Sequence, residues 1–294
     1  MELTKLTDLH THTSFSPDSS EDIYNMCARA AELGLAAYAV TDHCECNTWY
    51  EKRRYSVEQL KGFSQRYAHL YAFGFKDTYE KSVTETLRMK ELFDGRLNLL
   101  CGIELGQATA DTEAADYVAA DKRLDFVIGS MHQLPGWDDF AFINFSRMSD
   151  KKIQFLAGKY FEEVLKLCQW GKFDVLGHLT YILRYIEGKY KRTVNMAAFE
   201  ELIRAIFSAV IARGKGIEIN TSGLRQSYGR TFPDIALVRL YRSMGGEILT
   251  IGSDAHCVPD LGKGIEQGAA LAKEAGFRFL TYFKNRKPEF LRIP

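Results

Sequence analysis

The chain has 294 residues, of which 46% are hydrophobic and 26% are charged, a composition typical of a folded globular protein. Lys and Arg total 38, and Asp and Glu also total 38, so the formal net charge is zero and disfavours a protein that binds nucleic-acid backbones. No signal-peptide pattern opens the chain, and no run approaches the roughly 20 apolar residues that span a bilayer. We therefore expect a cytoplasmic protein with no nucleic-acid or membrane partner.

Seven short apolar runs of strand type recur along the chain, and each is followed by polar residues and then by a helical stretch. They are residues 5–10, 36–43, 98–105, 124–132, 173–179, 216–223 and 247–256. Alternation of strands and helices predicts parallel strands with helical crossovers. Seven such units in a chain of this length predict an α/β fold with a closed or nearly closed barrel. A doubly wound open sheet is the alternative.

Two of the intervening helices carry clear start and stop signals. Residues 20–34 begin with Ser20 and Glu21 as a predicted cap and end on Gly34. Residues 196–214 repeat apolar side chains at three- and four-residue spacing and also end on a glycine. Both patterns favour amphipathic helices that pack against the sheet.

The segment 44–97, between the second and third predicted strands, is too long for one crossover. Its early part contains a group of aromatic and basic side chains: Trp49, Tyr50, Arg53, Arg54 and Tyr55. We expect either extra helices that complete the barrel wall or a lid over the barrel mouth that shapes substrate choice. The two interpretations are compatible.

Six of the seven histidines end or immediately follow a predicted strand: His10, His12, His43, His132, His178 and His256. In parallel barrels the carboxyl ends of the strands carry the active site, so this placement favours one shared site over six separate structural histidines. Glu104 ends the third predicted strand, Asp254 ends the seventh, and Asp18 follows His12 after six residues. These carboxylates are predicted to join the same site.

The residue types at these positions point to a polynuclear metal centre. Alternate residues of a strand face the same side, so His10 and His12 can reach one ion, as can Asp254 and His256. Imidazole and carboxylate ligands suit zinc, iron and manganese. Nine such ligands are too many for one tetrahedral zinc, which predicts two or three divalent metal ions. Paired metals activate water against phosphate esters, so we expect a metal-dependent phosphoesterase.

The six cysteines lie at 27, 44, 46, 101, 168 and 257 without a paired framework, as expected for free thiols in a reducing compartment. Cys44 and Cys46 form a CxC pair close to His43, which raises a structural zinc site as an alternative. The spacing is not the usual CxxC, and no second pair accompanies it, so this alternative is disfavoured.

The motifs DLHTHTSFSPDS, VTDH, GIEL, GSMH, LGHL and GSDAH together resemble those of the PHP (polymerase and histidinol phosphatase) superfamily, and they cover residues 8–256. The resemblance implies a single domain over residues 1–294 with a distorted seven-stranded (β/α)7 TIM-like barrel and a trinuclear metal centre. The metal ligands that it implies are His10, His12, Asp18, His43, Glu104, His132, His178, Asp254 and His256. In many members of the superfamily a histidine stands at the position of Asp18.

Within the superfamily the chain most resembles the histidinol-phosphate phosphatases, through FSPDSSE, EINTSGLR and GSDAH followed by LGKG. This resemblance implies a phosphatase that converts L-histidinol phosphate to L-histidinol and inorganic phosphate in histidine biosynthesis. The alternatives are a PHP phosphoesterase for another small metabolite or nucleotide, a PHP exonuclease, an amidohydrolase-type enzyme with an eighth strand, and a non-enzymatic metal-binding protein. No oligomeric state follows from the sequence.

A phosphomonoester dianion also needs positive charge from the protein, and the planar fork of arginine matches its oxygens. Arg225 follows the sixth predicted strand, and Arg184 lies six residues after His178. We predict that these two arginines bind the phosphate, with Arg230 as the third candidate.

The leaving alkoxide of a primary alcohol is strongly basic and therefore needs a proton donor or a metal contact. Asp254 and His256 are the candidate donors, although both are also expected to be metal ligands. Asn220, Ser222 and Ser253 are expected either to orient metal ligands through hydrogen bonds or to cap the helices that follow.

Overall fold

The computed structural model describes residues 6–48 and 75–294. The strands in these residues are β1 (Thr7–Asp8), β2 (Ala37–Val40), β3 (His43–Glu45), β4 (Leu99–Gly106), β5 (Phe126–Ser130), β6 (Val175–Leu176), β7 (Gly216–Asn220), β8 (Leu249–Gly252), β9 (Phe279–Lys284) and β10 (Lys287–Arg292). The helices are α1 (Ile23–Leu33), α2 (Phe75–Leu92), α3 (Thr112–Ala119), α4 (Asp150–Trp170), α5 (Glu200–Ala212), α6 (Ser222–Arg225), α7 (Ile235–Ser243) and α8 (Ile265–Glu274). None of these described helices combines the length and apolar character needed to cross a lipid bilayer.

Seven of the strands form a nearly closed parallel barrel in the order β1-β2-β4-β5-β6-β7-β8. The seam lies between β8 and the segment that continues β1. Leu9 N donates to Ile251 O across it at 3.0 Å, and Thr11 pairs with Ala255 in a parallel bridge. The predicted seven-stranded barrel is therefore confirmed, and the open-sheet alternative is wrong.

Helix α1 ends on Gly34, as predicted, and Gly34 has a φ of 67°, in the left-handed region that glycine adopts without steric cost. The predicted start at Ser20 is wrong, because the side chain of Asp22 accepts from Tyr24 N and caps the helix there. The second predicted helix is confirmed in outline. It opens with a 3-10 turn, Met196–Phe199, before α5 begins.

The described parts of the 44–97 segment are β3, a 3-10 turn over Cys46–Thr48, and α2. Strand β3 pairs in parallel with the carboxyl-terminal half of β4, and α2 packs against both strands. Phe75, the first residue of α2, borders the cavity at the barrel mouth. The aromatic and basic residues of the lid hypothesis (Trp49, Tyr50, Arg53, Arg54, Tyr55), and His69, lie outside the described residues.

Below the mouth, the barrel is filled by a buried apolar cluster: Leu9, Ala37, Ala39, Leu100, Phe126, Ile128 and Val175. Leu100 and Glu104 are four residues apart on β4 and therefore face the same side of the strand, with Glu104 nearer its carboxyl end. The apolar cluster thus forms the floor beneath the polar residues of the mouth.

A C-terminal hairpin, β9 with β10, closes the opposite end of the barrel, and the sequence analysis did not predict it. Phe283 from β9 joins the apolar cluster, with its ring centroid 5.2 Å from that of Phe126. Asn285 and Arg286 form the turn with φ of 50° and 63°, the left-handed pair that tight hairpins require. Asn285 N donates to Asp125 Oδ1 at 3.0 Å, which attaches the turn to the start of β5.

Candidate metal centre

The extended backbone after β1 brings two histidines into the barrel mouth. His10 and His12 are alternate residues, so both rings face the same side, and their centroids are 5.1 Å apart. Both side chains are fully buried. The sequence pattern HxH therefore places two imidazoles side by side at the first strand, as predicted.

Glu104 lies at the middle of the site, at the carboxyl-terminal half of β4, and is fully buried. Its Oε2 is 2.8 Å from His43 Nδ1, 3.4 Å from His10 Nε2 and 3.6 Å from His12 Nε2. One carboxylate oxygen thus faces imidazoles from β3 and from the segment that follows β1.

The other oxygen of Glu104 faces the far side of the barrel. Oε1 is 2.7 Å from His178 Nε2, after β6, and 3.0 Å from His132 Nε2, after β5. The two Nε2 atoms are themselves 3.4 Å apart. Glu104 consequently stands between two groups of histidines and suits a ligand that is shared between cations.

Asp254, after β8, faces the histidines of β1: its Oδ1 is 3.4 Å from His12 Nε2 and 3.9 Å from His10 Nε2. Asp18 approaches from the loop before α1. Its Oδ2 is 3.1 Å from His256 Nε2 and 3.5 Å from His43 Nε2. The structure therefore brings together all nine residues that the sequence analysis selected as metal ligands.

Four overlapping groups of three residues have donor atoms within 4.8 Å of one another. They are His12, His43 and His256; His10, Glu104 and His178; His10, His12 and Asp254; and His43, Glu104 and His132. Sharing of His10, His12, His43 and Glu104 between groups is the arrangement expected where cations lie close together. None of these groups from the described residues includes a cysteine, and Cys44 and Cys46 are buried free thiols, so the structural-zinc alternative gains no support.

Four of the histidines have Nδ1 already held by the protein, and in His256 this atom lies 3.0 Å from Asp254 O. His10 Nδ1 is 2.7 Å from a carboxylate oxygen of Glu218, and His132 Nδ1 is 2.8 Å from one of Glu45. His12 Nδ1 is 2.9 Å from Ser16 Oγ. In each ring the Nδ1 contact leaves Nε2 facing the centre, which is the orientation that a metal-binding imidazole needs.

Several buried polar atoms at the centre make no hydrogen bond within the described residues: Nε2 of His10, His12 and His256, Oε2 of Glu104 and Oδ1 of Asp18. Buried polar atoms of folded proteins nearly always have a partner. Here the unpaired atoms are all imidazole nitrogens or carboxylate oxygens, which are the atoms that donate electron pairs to metal ions. This donor set fits divalent cations of the zinc, iron and manganese class.

Electrostatics hold Glu104 ionised and His12 neutral, whereas at His10, His43, His132 and His256 the neighbouring carboxylates outweigh burial and raise the pKa, so a cation that binds those rings must displace a proton. Burial alone would raise the pKa of Glu104, but His132 and His10 hold that pKa well below its usual range. Burial and the neighbours His256 and His43 lower the pKa of His12 well below its usual value. An ionised carboxylate beside a neutral imidazole is the state in which both can ligate a cation.

Asp254 adopts the left-handed region, with a φ of 55°, a conformation that costs a non-glycine residue about 1–3 kcal/mol. Arg225 holds this turn. Its guanidinium donates to Ser253 O at 2.6 Å and to Asp254 O at 2.8 Å, and Nε lies 3.2 Å from Asp260 Oδ2. The predicted phosphate-binding Arg225 is thus also a support for the backbone that presents Asp254.

The centre opens into a cavity of about 100 Å³ that Arg184 borders. Arg184 is the first residue of a π-helical turn, Arg184–Lys189. Its Nη2 donates to Asp254 Oδ2 and to Ser222 Oγ, both at 2.8 Å, and its guanidinium lies 4.9 Å from the Tyr181 ring. Arg184 Nε is buried and makes no hydrogen bond within the described residues.

A second, more open cavity of about 470 Å³ adjoins the first and shares Asp18, Arg184, Asp254 and His256 with it. Arg225 borders this second cavity. Both arginines that the sequence analysis preferred therefore lie at the mouth.

Arg230, the third candidate arginine, lies elsewhere. Its guanidinium is 48% exposed, pairs with Glu187 and Asp234, and lies 4.5 Å from the Tyr228 ring. It borders neither of the two cavities of the mouth. The structure therefore gives no support to Arg230 as a phosphate-binding residue.

The three polar residues that were expected near the ligands have different contacts. Asn220 Oδ1 accepts from Ser222 N at 3.0 Å and from Ser222 Oγ at 2.6 Å, so it orients Ser222 at the first position of α6, whose N-cap is Thr221. Ser222 in turn reaches Asp254, with 3.2 Å between its Oγ and Oδ2. Ser253 instead donates from Oγ to Asp8 Oδ2 at 2.6 Å and so connects β8 to β1.

The sequence analysis passed over four buried acidic residues that support the site: Asp8, Asp42, Glu45 and Glu218. Asp42 accepts from Ser16 Oγ at 2.8 Å and fixes the serine that contacts His12. A usable signal was present for the two glutamates. Each lies two residues from a selected position on the same strand, and alternation places both on the inner face.

A family model described as PHP domain matches residues 8–222 of this chain. The chain is 26% identical to a probable histidinol-phosphatase of Thermotoga maritima, over 94% of this chain and 95% of the relative. It is 24% identical to a histidinol-phosphatase of Lactococcus lactis, over 96% of each. The fold is similar, with a TM-score of 0.73 and 22% identity, to a Lactococcus lactis histidinol phosphate phosphatase complexed with zinc, L-histidinol and phosphate, over 97% of this chain and 99% of that one.

Proposed function

The chain belongs to the PHP domain family, and on that premise we propose that it is a metal-dependent phosphomonoesterase that hydrolyses L-histidinol phosphate to L-histidinol and inorganic phosphate in histidine biosynthesis. The observation that carries the proposal is the convergence of nine imidazole and carboxylate side chains on one buried centre beside an arginine. Relatives of nearly the same length that bear the name histidinol-phosphatase support the substrate.

We assign the nine converging residues as ligands of two or three divalent cations, with zinc, iron and manganese as the candidates. Overlap of the four donor groups supports more than one cation. When bound, the cations would activate a water molecule as the nucleophile and neutralise charge on the phosphate. The protein supplies the fixed geometry: its ligands extend from separate strand ends of a rigid barrel, so little reorganisation accompanies the reaction.

Arg184 is assigned to the phosphate. Contacts with Asp254 and Ser222 fix its guanidinium at the border of the cavity, where the arginine can donate to a phosphate oxygen. Arg225 adds positive charge at the adjoining cavity while it holds the turn at Asp254. Fixed donors of this kind stabilise the charge that develops on the equatorial oxygens during transfer.

Departure of the alcohol requires a proton, and Asp254 and His256 are the candidate donors. Both border the two cavities at the mouth, and they are alternate residues after β8. Ser222 and Arg184 hold one oxygen of Asp254, which fixes the carboxylate at the wall of both cavities.

The remaining wall of the smaller cavity suits the organic half of the substrate. Phe75, Phe142, Tyr181 and Tyr185 supply aromatic faces, and Asp139 supplies a carboxylate. L-Histidinol phosphate carries an ammonium group and an imidazole, which aromatic faces and a carboxylate bind through cation–π and charge-assisted contacts. This lining favours a cationic amino alcohol over a sugar or a nucleotide.

The test is a panel of phosphate-release assays on the purified protein, with manganese, zinc and iron supplied separately. The panel contains L-histidinol phosphate, other small phosphorylated metabolites, nucleoside monophosphates, p-nitrophenyl phosphate and a single-stranded oligonucleotide. We expect the highest kcat/KM for L-histidinol phosphate and no cleavage of the oligonucleotide.

A higher kcat/KM for another metabolite would move the substrate assignment to that compound and leave the phosphomonoesterase intact. Failure to release phosphate from any ester with any of the three metals would overturn the proposal as a whole.

A further inference from the structure

Glu218 is a fully buried carboxylate on β7 that contacts two of the proposed ligands at once. Its Oε1 lies 2.7 Å from His10 Nδ1, and its Oε2 accepts from the backbone N–H of His178 at 2.8 Å. One side chain therefore fixes the ring of a ligand from the first strand and the backbone of another from the far side of the barrel.

Glu45 has the same role on the opposite side. Its Oε1 lies 2.8 Å from His132 Nδ1, and its Oε2 accepts from Gln107 Nε2 at 2.6 Å. Gln107 Oε1 in turn accepts from the backbone N–H of His132 at 3.1 Å. The three residues form a closed ring of hydrogen bonds that fixes both the backbone and the imidazole of His132.

Two glycines provide the space that these carboxylates occupy. A Cβ at Gly252 would lie 2.5 Å from Glu218 Oε1 and 2.2 Å from His10 Cβ, and a Cβ at Gly106 would lie 2.3 Å from Glu45 Oε2. Such separations are too short for any real Cβ. Strands β8 and β4 therefore end in residues without side chains at the two places where a carboxylate must reach a histidine.

From these contacts we propose that Glu218 and Glu45 are positioning residues that fix the Nδ1–H tautomer of His10 and His132 and thereby set the metal affinity of the centre. The inference rests on the proposed metal centre. An imidazole that donates Nδ1–H to a carboxylate keeps its Nε2 lone pair for a cation, and the carboxylate makes that nitrogen more basic. Neither glutamate needs to contact a cation or the substrate.

Glu218→Gln is the sharpest variant, because glutamine has the same shape but only one oxygen. If that oxygen faces His10, the amide NH2 opposes the donating N–H of His178. If it faces His178, the NH2 donates to His10 Nδ1, which places the ring proton on Nε2 and removes the lone pair that a cation needs. Either arrangement weakens metal binding by His10 or His178, while the glutamine still fills the space that Glu218 occupies.

Asp174→Asn is the matched control. Asp174 is also almost fully buried, accepts from Val127 N at 2.8 Å and pairs with Arg286. It lies just before β6, at the other end of the barrel from the centre. This variant removes a buried carboxylate with similar contacts and should leave metal affinity unchanged, whatever it does to stability.

The experiment measures zinc affinity by competition with a chromophoric chelator, without substrate, on wild-type protein and the variants. We expect Glu218→Gln and Glu45→Gln each to weaken binding about 10- to 100-fold, the usual effect of losing such a partner, while far-UV circular dichroism stays unchanged. Cobalt-substituted protein should also show altered visible absorption in both variants, which a purely structural role would not produce. The two networks share no residue, so each variant tests the proposal if the other fails to fold.

Wild-type affinity in either folded glutamine variant, or an equal loss of affinity in Asp174→Asn, would overturn the inference. A wild-type protein that binds no zinc, manganese or iron would instead overturn the proposed function. The two failures are therefore distinguishable.

Discussion

Arg184 and Arg225 both lie at the barrel mouth, but their contacts indicate different roles. Arg184 donates to the side chains of Asp254 and Ser222 and borders the cavity, whereas Arg225 donates to the backbone carbonyls of Ser253 and Asp254. Replacement of Arg184 should therefore lower mainly the reaction rate. Replacement of Arg225 should lower the free energy of unfolding as well.

Arg184→Ala is expected to lower kcat for a phosphomonoester by about 10²- to 10³-fold, the usual effect of removing one fixed donor to a developing oxyanion. Metal content, measured by elemental analysis, should remain close to that of the wild type. Arg230→Ala is the control, because this arginine is exposed and away from the centre. Equal rates for Arg184→Ala and the wild type would remove Arg184 from the phosphate site.

Arg225→Ala is expected to lower the free energy of unfolding by about 1–3 kcal/mol, because it leaves two carbonyls without their donors beside a strained residue. Urea denaturation measures this change. The activity should fall as well, since the turn carries Asp254. A variant as stable as the wild type would show that the turn holds without the arginine.

At the scale of single residues, the sequence predicted those site residues that a short-range pattern identifies. His10 and His12 follow from strand alternation, and Asp254 and His256 follow from the same spacing. The contacts of Glu218 with His10 and of Asp8 with Ser253 did not follow, because they depend on which strands adjoin and in what register, although alternation alone places Glu218 on the inner face. The backbone contacts of Arg225 were equally inaccessible, since they depend on the path of a loop.

Among the elements, the seven barrel strands were predictable because each is a short apolar run that ends in a polar site residue. The start of α1 was not: Ser20, Glu21 and Asp22 all have side chains that can cap a helix, and only the path of the chain selects Asp22. The C-terminal hairpin was also missed. Its strand β10 is mostly exposed and mixes charged with apolar residues, so periodicity gives little signal there.

The hairpin nevertheless has a measurable role in packing. Phe283→Ala is expected to lower the free energy of unfolding by about 3–5 kcal/mol, because it opens a cavity in the apolar cluster under the site. Phe290→Ala on the paired strand is the control, since Phe290 is 54% exposed and should change stability little. Similar denaturation midpoints for the two variants would show that the hairpin does not close the barrel.

On the scale of the whole molecule, the sequence left open whether the sheet closes. Closure depends on contacts between residues about as far apart in sequence as this chain allows, such as Leu9 N with Ile251 O and Asp8 with Ser253. No local pattern encodes such pairs. The proposed metal ligands lie on both sides of the seam, with His10 and His12 after β1 and Asp254 after β8. Cations bound by these ligands would therefore stabilise the closed barrel.

Removal of the metals should therefore affect the entire barrel. Exhaustive chelation is expected to abolish phosphatase activity and to lower the Tm, because ions that bind only the folded state add stability, about 2.7 kcal/mol for a site at 100 times its Kd. Thermal unfolding monitored by circular dichroism measures the shift, and chelator preloaded with zinc is the control. Full activity and an unchanged Tm after stripping would contradict the metal centre.

The apolar floor and Phe283 fill the barrel axis beneath Glu104, so the reaction proposed here takes place in a chamber that communicates with solvent at its carboxyl-terminal mouth. Both products must then leave by the way the substrate came in. If the phosphate binds at the proposed cations above the floor, we expect the alcohol to leave first and the phosphate last. Inorganic phosphate should accordingly behave as a competitive product inhibitor, which makes the rate responsive to the phosphate concentration around the enzyme.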